Sequence, residues 1–155
     1  MKNFFTLSLC LLLSFSVHAL EQKKISWTAQ TVRTISRTVA VHQDLPDHQL
    51  AQTQRVQAYV SQDEDWNHAE ALVYDQSETI AGNGTHRGYV VMTHSNGDKT
   101  YHSFRGAHNQ SGISEGSGEF IGGTGKFKNI KGTIKYQSKF TSEGGVSNTE
   151  AEFTY

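Results

Sequence analysis

Cysteine and proline are almost absent from this sequence, which has one of each, Cys10 and Pro46, in 155 residues. Cys10 lies in an N-terminal segment that we expect to be removed, so the mature chain would have neither a disulfide nor a thiol nucleophile. This excludes a small disulfide-stapled module and a cysteine-dependent enzyme. With one proline and 14 glycines, the turns of the chain depend mainly on glycine, which reaches positive φ at little steric cost.

Long apolar runs are also scarce, and the clearest one, residues 4–17, follows Lys2 at the N-terminus. A positive start, a short apolar core and a small residue at Ala19 are typical of a secretory signal peptide. The sequence therefore predicts a signal peptide over 1–19, a single mature domain over 20–155, and an exported protein that is periplasmic or secreted. The apolar run is too short to span a bilayer comfortably, so we predict no membrane span in the mature chain.

Neither sign of charge is in large excess. The 14 lysines and arginines oppose 15 acidic residues, a formal net charge of −1 that becomes −2 when Lys2 is removed. A nucleic-acid partner normally requires a basic excess or stripe, so none is expected. Gly125-Lys126 does not complete a phosphate-binding loop, because Phe120 and Phe127 stand where that motif needs a glycine and a hydroxyl residue. We therefore predict no cofactor.

What the chain does contain is a succession of short segments rich in Val, Ile, Thr and aromatic residues, separated by polar or glycine-rich turns. Such residues suit a pleated surface, and regular short strands of this kind predict an antiparallel sandwich or a closed barrel. Residues 49–61 also suit a short helix, but the alternation of Val56, Ala58 and Val60 favours a strand. The predicted strands are 26–41, 49–61, 69–74, 86–94, 99–107, 114–121, 130–142 and 146–155.

The clearest hairpin joins residues 86–94 to residues 99–107 through Ser-Asn-Gly-Asp. Asn-Gly between two apolar and aromatic runs is a strong hairpin signal. If Asn96 and Gly97 form a two-residue loop, Val91 lies opposite His102 and Tyr89 lies opposite Phe104. That register places His94 and His102 on opposite faces of the hairpin.

Three stretches carry a resemblance to a known group of proteins: GNGTHRGY (82–89), THSNGDKTYHSFRG (93–106) and GEFIGGTGKFKNIKGTIKY (118–136). They resemble the allene oxide cyclase and dirigent barrel superfamily, and most closely its small secreted bacterial members of unassigned function. The resemblance covers about residues 66–155. It implies an all-β fold, an antiparallel eight-stranded barrel of calycin-like shape with an elongated apolar cavity, and a homotrimer. The active-site residues of the cyclases and dirigent proteins do not match defensible positions here, so no catalytic residue is assigned.

Candidate ligand contacts lie in the aromatic strands. Arg87 and Arg105 each stand beside a glycine in an aromatic strand, and an inward-pointing arginine needs an anionic partner or a hydrogen-bonded network. An outward orientation remains the commoner one for arginine. Aromatic side chains either line a cavity or fill a small barrel, since eight strands leave room for side chains or one small ligand. The candidate ligand-binding residues are Arg87, Tyr89, His102, Phe104, Arg105 and Tyr136.

Seven histidines remain after removal of residues 1–19, and four of them lie on or beside the hairpin of residues 86–107. A zinc or copper site needs three or four converging ligands with a supporting shell, and no spacing here fixes such a set. We predict no metal site and expect these histidines to be exposed polar residues of the strands.

Three functions are consistent with this sequence. The first is a binding protein that holds a small apolar or amphipathic molecule in the barrel cavity, and the sequence favours it over an enzyme. The second is a cyclase-like or dirigent-like enzyme, an isomerase in type, that steers cyclisation or coupling of a reactive intermediate by shape. The third is a packed structural or interaction barrel. An outer-membrane barrel is disfavoured because Arg33 and Arg37 share a face with Ile35 and Val39.

Overall fold

The computed structural model describes residues 22–141 and 144–155 and contains one closed antiparallel barrel of eight strands. Each strand pairs with its neighbour in sequence, and β1 pairs with β8 to close the sheet. This confirms the all-β eight-stranded barrel. The predicted signal peptide lies outside the described residues, and none of the described residues forms a helix long and apolar enough to cross a membrane. The strands are β1 Lys23–His42, β2 His48–Ser61, β3 Glu70–Ile80, β4 Asn83–Thr93, β5 Lys99–His108, β6 Ile113–Gly123, β7 Lys131–Thr141 and β8 Gly144–Thr154.

Alternation along the strands separates a lumen-facing side from an outer side. On β3, Ala71 and Val73 are 1% exposed, while the intervening Leu72 is half-buried and Tyr74 is exposed. The period of two follows from the pleat of a strand and gives the barrel its core. Residues 49–61 follow the same rule and form most of β2, so the strand interpretation of that segment is confirmed.

One end of the barrel is closed by aromatic side chains. Trp66, on the loop between β2 and β3, is 1% exposed and stacks on Trp27 with ring centroids 5.0 Å apart and planes 8° apart. Phe120, Phe127 and Phe153 surround the Trp66 indole at centroid distances of 5.2–5.7 Å. The N-terminal end of β1 and the C-terminal end of β8 lie at this end.

The other end of the barrel carries the β1–β2, β3–β4 and β5–β6 turns, together with the end of β7 and the start of β8. Here β1 extends further than its pairing with β8: among the described residues that pairing covers Lys23–Gln30, whereas the pairing of β1 with β2 continues to His42. Val32 and Ile35 stand at the two irregularities of the β1–β2 register. The β1–β2 hairpin therefore extends beyond the β8 edge at the mouth of the barrel.

The β4–β5 hairpin differs from its predicted register by one residue. Val91 lies opposite Tyr101, and Tyr89 lies opposite Ser103. The loop is longer than two residues, because the His94 N–H donates to the Asp98 carbonyl at 2.8 Å. The prediction of a two-residue Asn-Gly loop is wrong, and so is the conclusion that His94 and His102 lie on opposite faces: both side chains are buried, 3% exposed.

Candidate functional site

A buried ion pair lies on the lumen side of β2 and β3. Arg55 Nη1 donates to Asp75 Oδ2 at 2.9 Å, and each side chain is only 11% exposed. Among the described residues, Arg55 Nε and Asp75 Oδ1 have no hydrogen-bond partner. The guanidinium also lies 5.3 Å from the ring centroid of Phe140 on β7. A buried charge pair with unused donor and acceptor atoms can bind a polar group of a ligand.

A second polar pair crosses the lumen. Tyr136 on β7 places its hydroxyl 2.5 Å from Nε2 of His86 on β4. The row that joins them runs His86, Gly106, Gly116, Tyr136 across four strands. A β-carbon at Gly106 would lie 2.6 Å from the Tyr136 hydroxyl, so the missing side chains of the two glycines make room for the tyrosine. Ser114 Oγ lies 3.2 Å from His86 Nε2, and the His108 ring centroid lies 4.1 Å from that of His86.

Burial keeps both members of this pair neutral. Burial, followed by the positive charge that His108 carries when protonated, lowers the pKa of His86 to about 4. Burial, followed by the negative charge of Asp75, raises the pKa of the Tyr136 phenol. A neutral imidazole and a protonated phenol share one hydrogen bond and can relay a proton without either group holding a charge at rest.

His102 lies deeper in the lumen. It is 3% exposed, burial lowers its pKa to about 3, and its Nδ1 has no partner among the described residues. The side chain borders a cavity of about 50 Å³ that is also lined by Gln57, Tyr59 and Tyr136. A space of this size holds roughly four water molecules or one polar end of a ligand.

The six candidate residues divide between the two faces of the barrel. His102, Phe104 and Tyr136 lie on the lumen side, and both His102 and Phe104 are buried. Arg87, Tyr89 and Arg105 occupy the alternate positions of β4 and β5 and lie on the outer side, with both arginines exposed. The structure therefore brings three of the six together in the lumen and places the other three elsewhere.

Sequence reasoning missed Arg55, Asp75 and His86 as lumen residues. Asp75 falls just beyond the predicted end of the third strand at residue 74, and Arg55 lies in the segment that also suited a helix. Arg55 alternates with Gln57 and Tyr59, and this pattern was the available signal for a lumen-facing position.

The histidines are less exposed than predicted. His48, His86, His94 and His102 are at most 9% exposed, so the expectation of exposed histidines is wrong for these four. Within residues 22–141 and 144–155, no three His, Cys, Asp or Glu side chains lie close enough to hold a metal ion.

Comparison with known proteins shows the fold. No protein-family model matches the chain, and no curated protein sequence is significantly similar to it. The solved structure of the pterocarpan synthase dirigent protein PsPTS1 is similar, with a TM-score of 0.52 and 15% sequence identity over 87% of this chain and 96% of that chain. That of the pterocarpan synthase dirigent protein GePTS1 has a TM-score of 0.49 and 15% identity over 99% of both chains. The similarity to PsPTS1 shows that the barrel has the dirigent-type fold.

Proposed function

We propose that the lumen binds a small aromatic or amphipathic molecule that carries hydroxyl groups, and that it steers the cyclisation of this molecule. The observation that carries the proposal is the His86–Tyr136 hydrogen bond, buried on the same side of the sheet as the Arg55–Asp75 ion pair. The fold supports the same class of activity, because PsPTS1 is described as a pterocarpan synthase dirigent protein. Fold alone does not confer function, so the proposal depends on the lumen residues.

The proposed chemistry is an intramolecular addition of a hydroxyl group to a conjugated carbon. A new C–O bond forms as the hydroxyl proton moves to the Tyr136 oxygen and the phenol proton moves to His86 Nε2. The electron pair of the conjugated system moves to the ligand's former carbonyl oxygen, where the Arg55 guanidinium stabilises the developing negative charge. His86 then returns its proton through Tyr136 to that oxygen. The product is an isomer of the substrate, and no oxidant, reductant or cofactor is consumed.

The size of the enclosed space restricts how a ligand enters. A cavity of about 50 Å³ accepts a polar end but not a whole aromatic molecule. We propose that a ligand hydroxyl donates to His102 Nδ1, while the rest of the molecule extends past Arg55 and Phe140 toward the mouth. In that pose the reacting atoms lie beside Tyr136, which borders the same cavity.

The Nδ1 of His102, which has no hydrogen-bond partner among the described residues, favours a second function as well. This nitrogen can accept a hydrogen bond from a ligand hydroxyl. Such a contact is sufficient for a protein that binds its ligand without turnover. In that case the barrel holds its ligand tightly, and the His86–Tyr136 pair only fixes the shape of the lumen.

Hydroxylated aryl enones that cyclise slowly by themselves distinguish the two functions. The enantiomeric excess of the cyclised product is measured by chiral chromatography, with and without the protein. The wild-type chain is expected to give an excess of one enantiomer, and Tyr136→Phe is expected to give a racemic product. Arg37→Gln, which changes an exposed arginine on β1, is the matched control and retains the excess.

Each outcome separates the two functions. A racemic product with stoichiometric binding of the enone to the wild-type chain supports the binding protein and contradicts the enzyme. A racemic product without binding contradicts both.

We also propose that residues 1–19 direct export and that the mature chain assembles as the trimer implied by the resemblance. Lys2 and the apolar run that follows it support the first point. N-terminal sequencing of the exported protein is expected to begin at Leu20, and sedimentation equilibrium is expected to give three times the mass of the mature chain. An unprocessed N-terminus or a monomer mass contradicts the respective point.

A further inference from the structure

The outer face of the barrel carries a groove that the lumen chemistry does not use. It is lined by residues of β1–β7, with Ser36 and Thr38 at the β1 end and Lys135 at the β7 end, and has a volume of about 1040 Å³. We propose that this outer groove binds a linear acidic polysaccharide. The side chains on which the argument depends are Gln52, Tyr74, Gln76, Arg87, Tyr89 and Arg105.

Two arginines face each other in the groove. Arg87 on β4 and Arg105 on β5 are directly opposed in the register, and both are exposed. Neither forms an ion pair or side-chain hydrogen bond with any residue that the structure describes. Like charges at opposed positions destabilise a sheet, so an external anion between them would relieve repulsion as it bound. Guanidinium groups on two directly opposed residues suit carboxylate ligands, because each guanidinium can bind a carboxylate through paired N–H donors.

The charge of the groove contrasts with that of the whole chain, which has a formal net charge of −1. Lys135 on β7 lies in the same row, two strands beyond Arg105 and roughly 10 Å away by the usual strand spacing. It faces Glu150 on β8, and Glu119 is the one acidic side chain that lines the outer side of the groove among the described residues. The cationic groups thus recur along a line across the strands, which suits a polymer with repeated acidic groups.

The neighbouring row supplies surfaces for sugar rings. Tyr74 and Tyr89 are directly opposed across β3 and β4, and Tyr74 is 43% exposed. The Tyr89 ring is inclined by only 14° to the Tyr101 ring at a centroid distance of 6.5 Å. Amphipathic tyrosine rings can pack against the C–H face of a sugar, while the Gln52 and Gln76 amides bond its hydroxyl groups.

Other polymers fit the groove less well. Strands β2–β7 are hydrogen-bonded on both sides, and β1 borders the groove only through Ser36 and Thr38, so an extended peptide that joined the β1 edge would lie three strands away from Arg87. Arg87, Arg105 and Lys135 together provide too few phosphate contacts for firm nucleic-acid binding. Tyrosine, amide and guanidinium groups together favour a saccharide that carries carboxylates.

De-esterified oligogalacturonides provide a probe, and isothermal titration calorimetry at two salt concentrations provides the measurement. Arg87→Gln and Arg105→Gln are each expected to weaken binding by about tenfold, the effect of one charged hydrogen bond lost. The double variant is expected to show no measurable binding. Arg33→Gln is the control and is expected to bind as the wild-type chain does, because Arg33 is exposed and neither it nor its neighbours on β1 line the groove. A fully methyl-esterified oligomer keeps the sugar rings without the charge. Its affinity is expected to be lower by about tenfold or more.

Several results would overturn the proposal. Equal binding by the wild-type chain and the double variant would show that the arginines do not contact the saccharide. Absence of binding by the wild-type chain at low salt would rule out the ligand class. A change of sedimenting mass in the double variant, without a change in saccharide affinity, would assign the face to contacts between copies of the chain. None of these results bears on the lumen, because the enantiomeric excess is measured on a separate ligand and with separate variants.

Discussion

The Tyr136 hydroxyl reaches His86 Nε2, at 2.5 Å, only because the two strands between them carry glycine at the intervening lumen positions. This single contact joins β4 to β7 across the barrel interior. The glycine that most directly permits it is Gly116, where a β-carbon would collide with the Tyr136 hydroxyl and with the Arg105 carbonyl.

Substitution of Gly116 is therefore expected to separate the pair. Gly116→Ala forces either the tyrosine or the backbone to shift, and overpacking of this kind typically destabilises a protein by about 1–3 kcal/mol. Urea unfolding followed by circular dichroism measures the loss. Ser117→Ala, on the outer side of the same strand, is the control and is expected to change stability by less than about 0.5 kcal/mol. Equal stability of the two variants would mean that the lumen accommodates the extra methyl group.

Removal of one member of the Arg55–Asp75 pair is expected to destabilise the protein more than replacement of both members by apolar residues. Asp75→Leu leaves the Arg55 charge buried without its partner, which costs about 3–5 kcal/mol in comparable pairs. The double variant Arg55→Met with Asp75→Leu removes both charges and is expected to recover most of this loss. Urea unfolding of both single variants and the double variant forms the cycle. Additive losses would show that the two side chains act independently.

The aromatic plug is expected to contribute strongly to stability. Trp66 is 1% exposed and contacts five aromatic rings, the imidazole of His94 included, so Trp66→Ala opens a large cavity and is expected to cost about 3–5 kcal/mol. Val60→Ala is the control, because Val60 is 65% exposed. Thermal unfolding by circular dichroism avoids dependence on tryptophan fluorescence. A loss no larger than that of the control would indicate that the loop carrying Trp66 does not contribute to the core.

The barrel could be predicted because strands leave local patterns in the sequence. The site could not be predicted, because it depends on contacts between distant residues. Alternation over Val56, Ala58 and Val60 favoured a strand for 49–61, and β2 confirms it. The face of the sheet predicted for each hairpin side chain depended on the length of one loop. A one-residue shift in register moves each side chain to the opposite face. His94 and His102 illustrate the consequence, since both face the core once the loop is longer. Contacts such as Tyr136–His86 join residues 50 positions apart through two intervening strands, which no local pattern encodes.

Stability is expected to change with pH through a histidine at the β1–β2 turn. His48 Nδ1 lies 2.8 Å from Asp44 Oδ1, and its Nε2 lies 3.0 Å from Glu78 Oε1. The hydrogen bond with Asp44, then that with Glu78, raises the pKa of His48 in the folded chain. The protonated form thus binds the hairpin tip to β3 through two carboxylates.

The sign of the effect follows from linkage. A folded-state pKa above the unfolded value means that the stabilisation is fully present below about pH 6.5 and is lost as the pH rises through the folded pKa of His48. Burial lowers the pKa values of His86, His94, His102 and His108, so each of these histidines makes the folded chain less stable as the pH falls through about 6.5, the opposite sign to the effect of His48. This loss of stability arises because the unfolded chain binds protons that the buried imidazoles of the folded chain do not bind.

The measurement is the free energy of unfolding in urea across pH 6–9 for the wild-type chain and for His48→Gln. The difference in free energy of unfolding between the wild-type chain and His48→Gln is expected to favour the wild-type chain most near pH 6 and to shrink as the pH rises through the folded pKa of His48, because the effects of the other histidines are common to both proteins. His42→Gln is the matched control, because His42 lies against the His48 ring at 5.2 Å but forms no ion pair with the residues that the structure describes. Parallel profiles for the wild-type chain and His48→Gln would show that the two carboxylates do not hold the proton on His48.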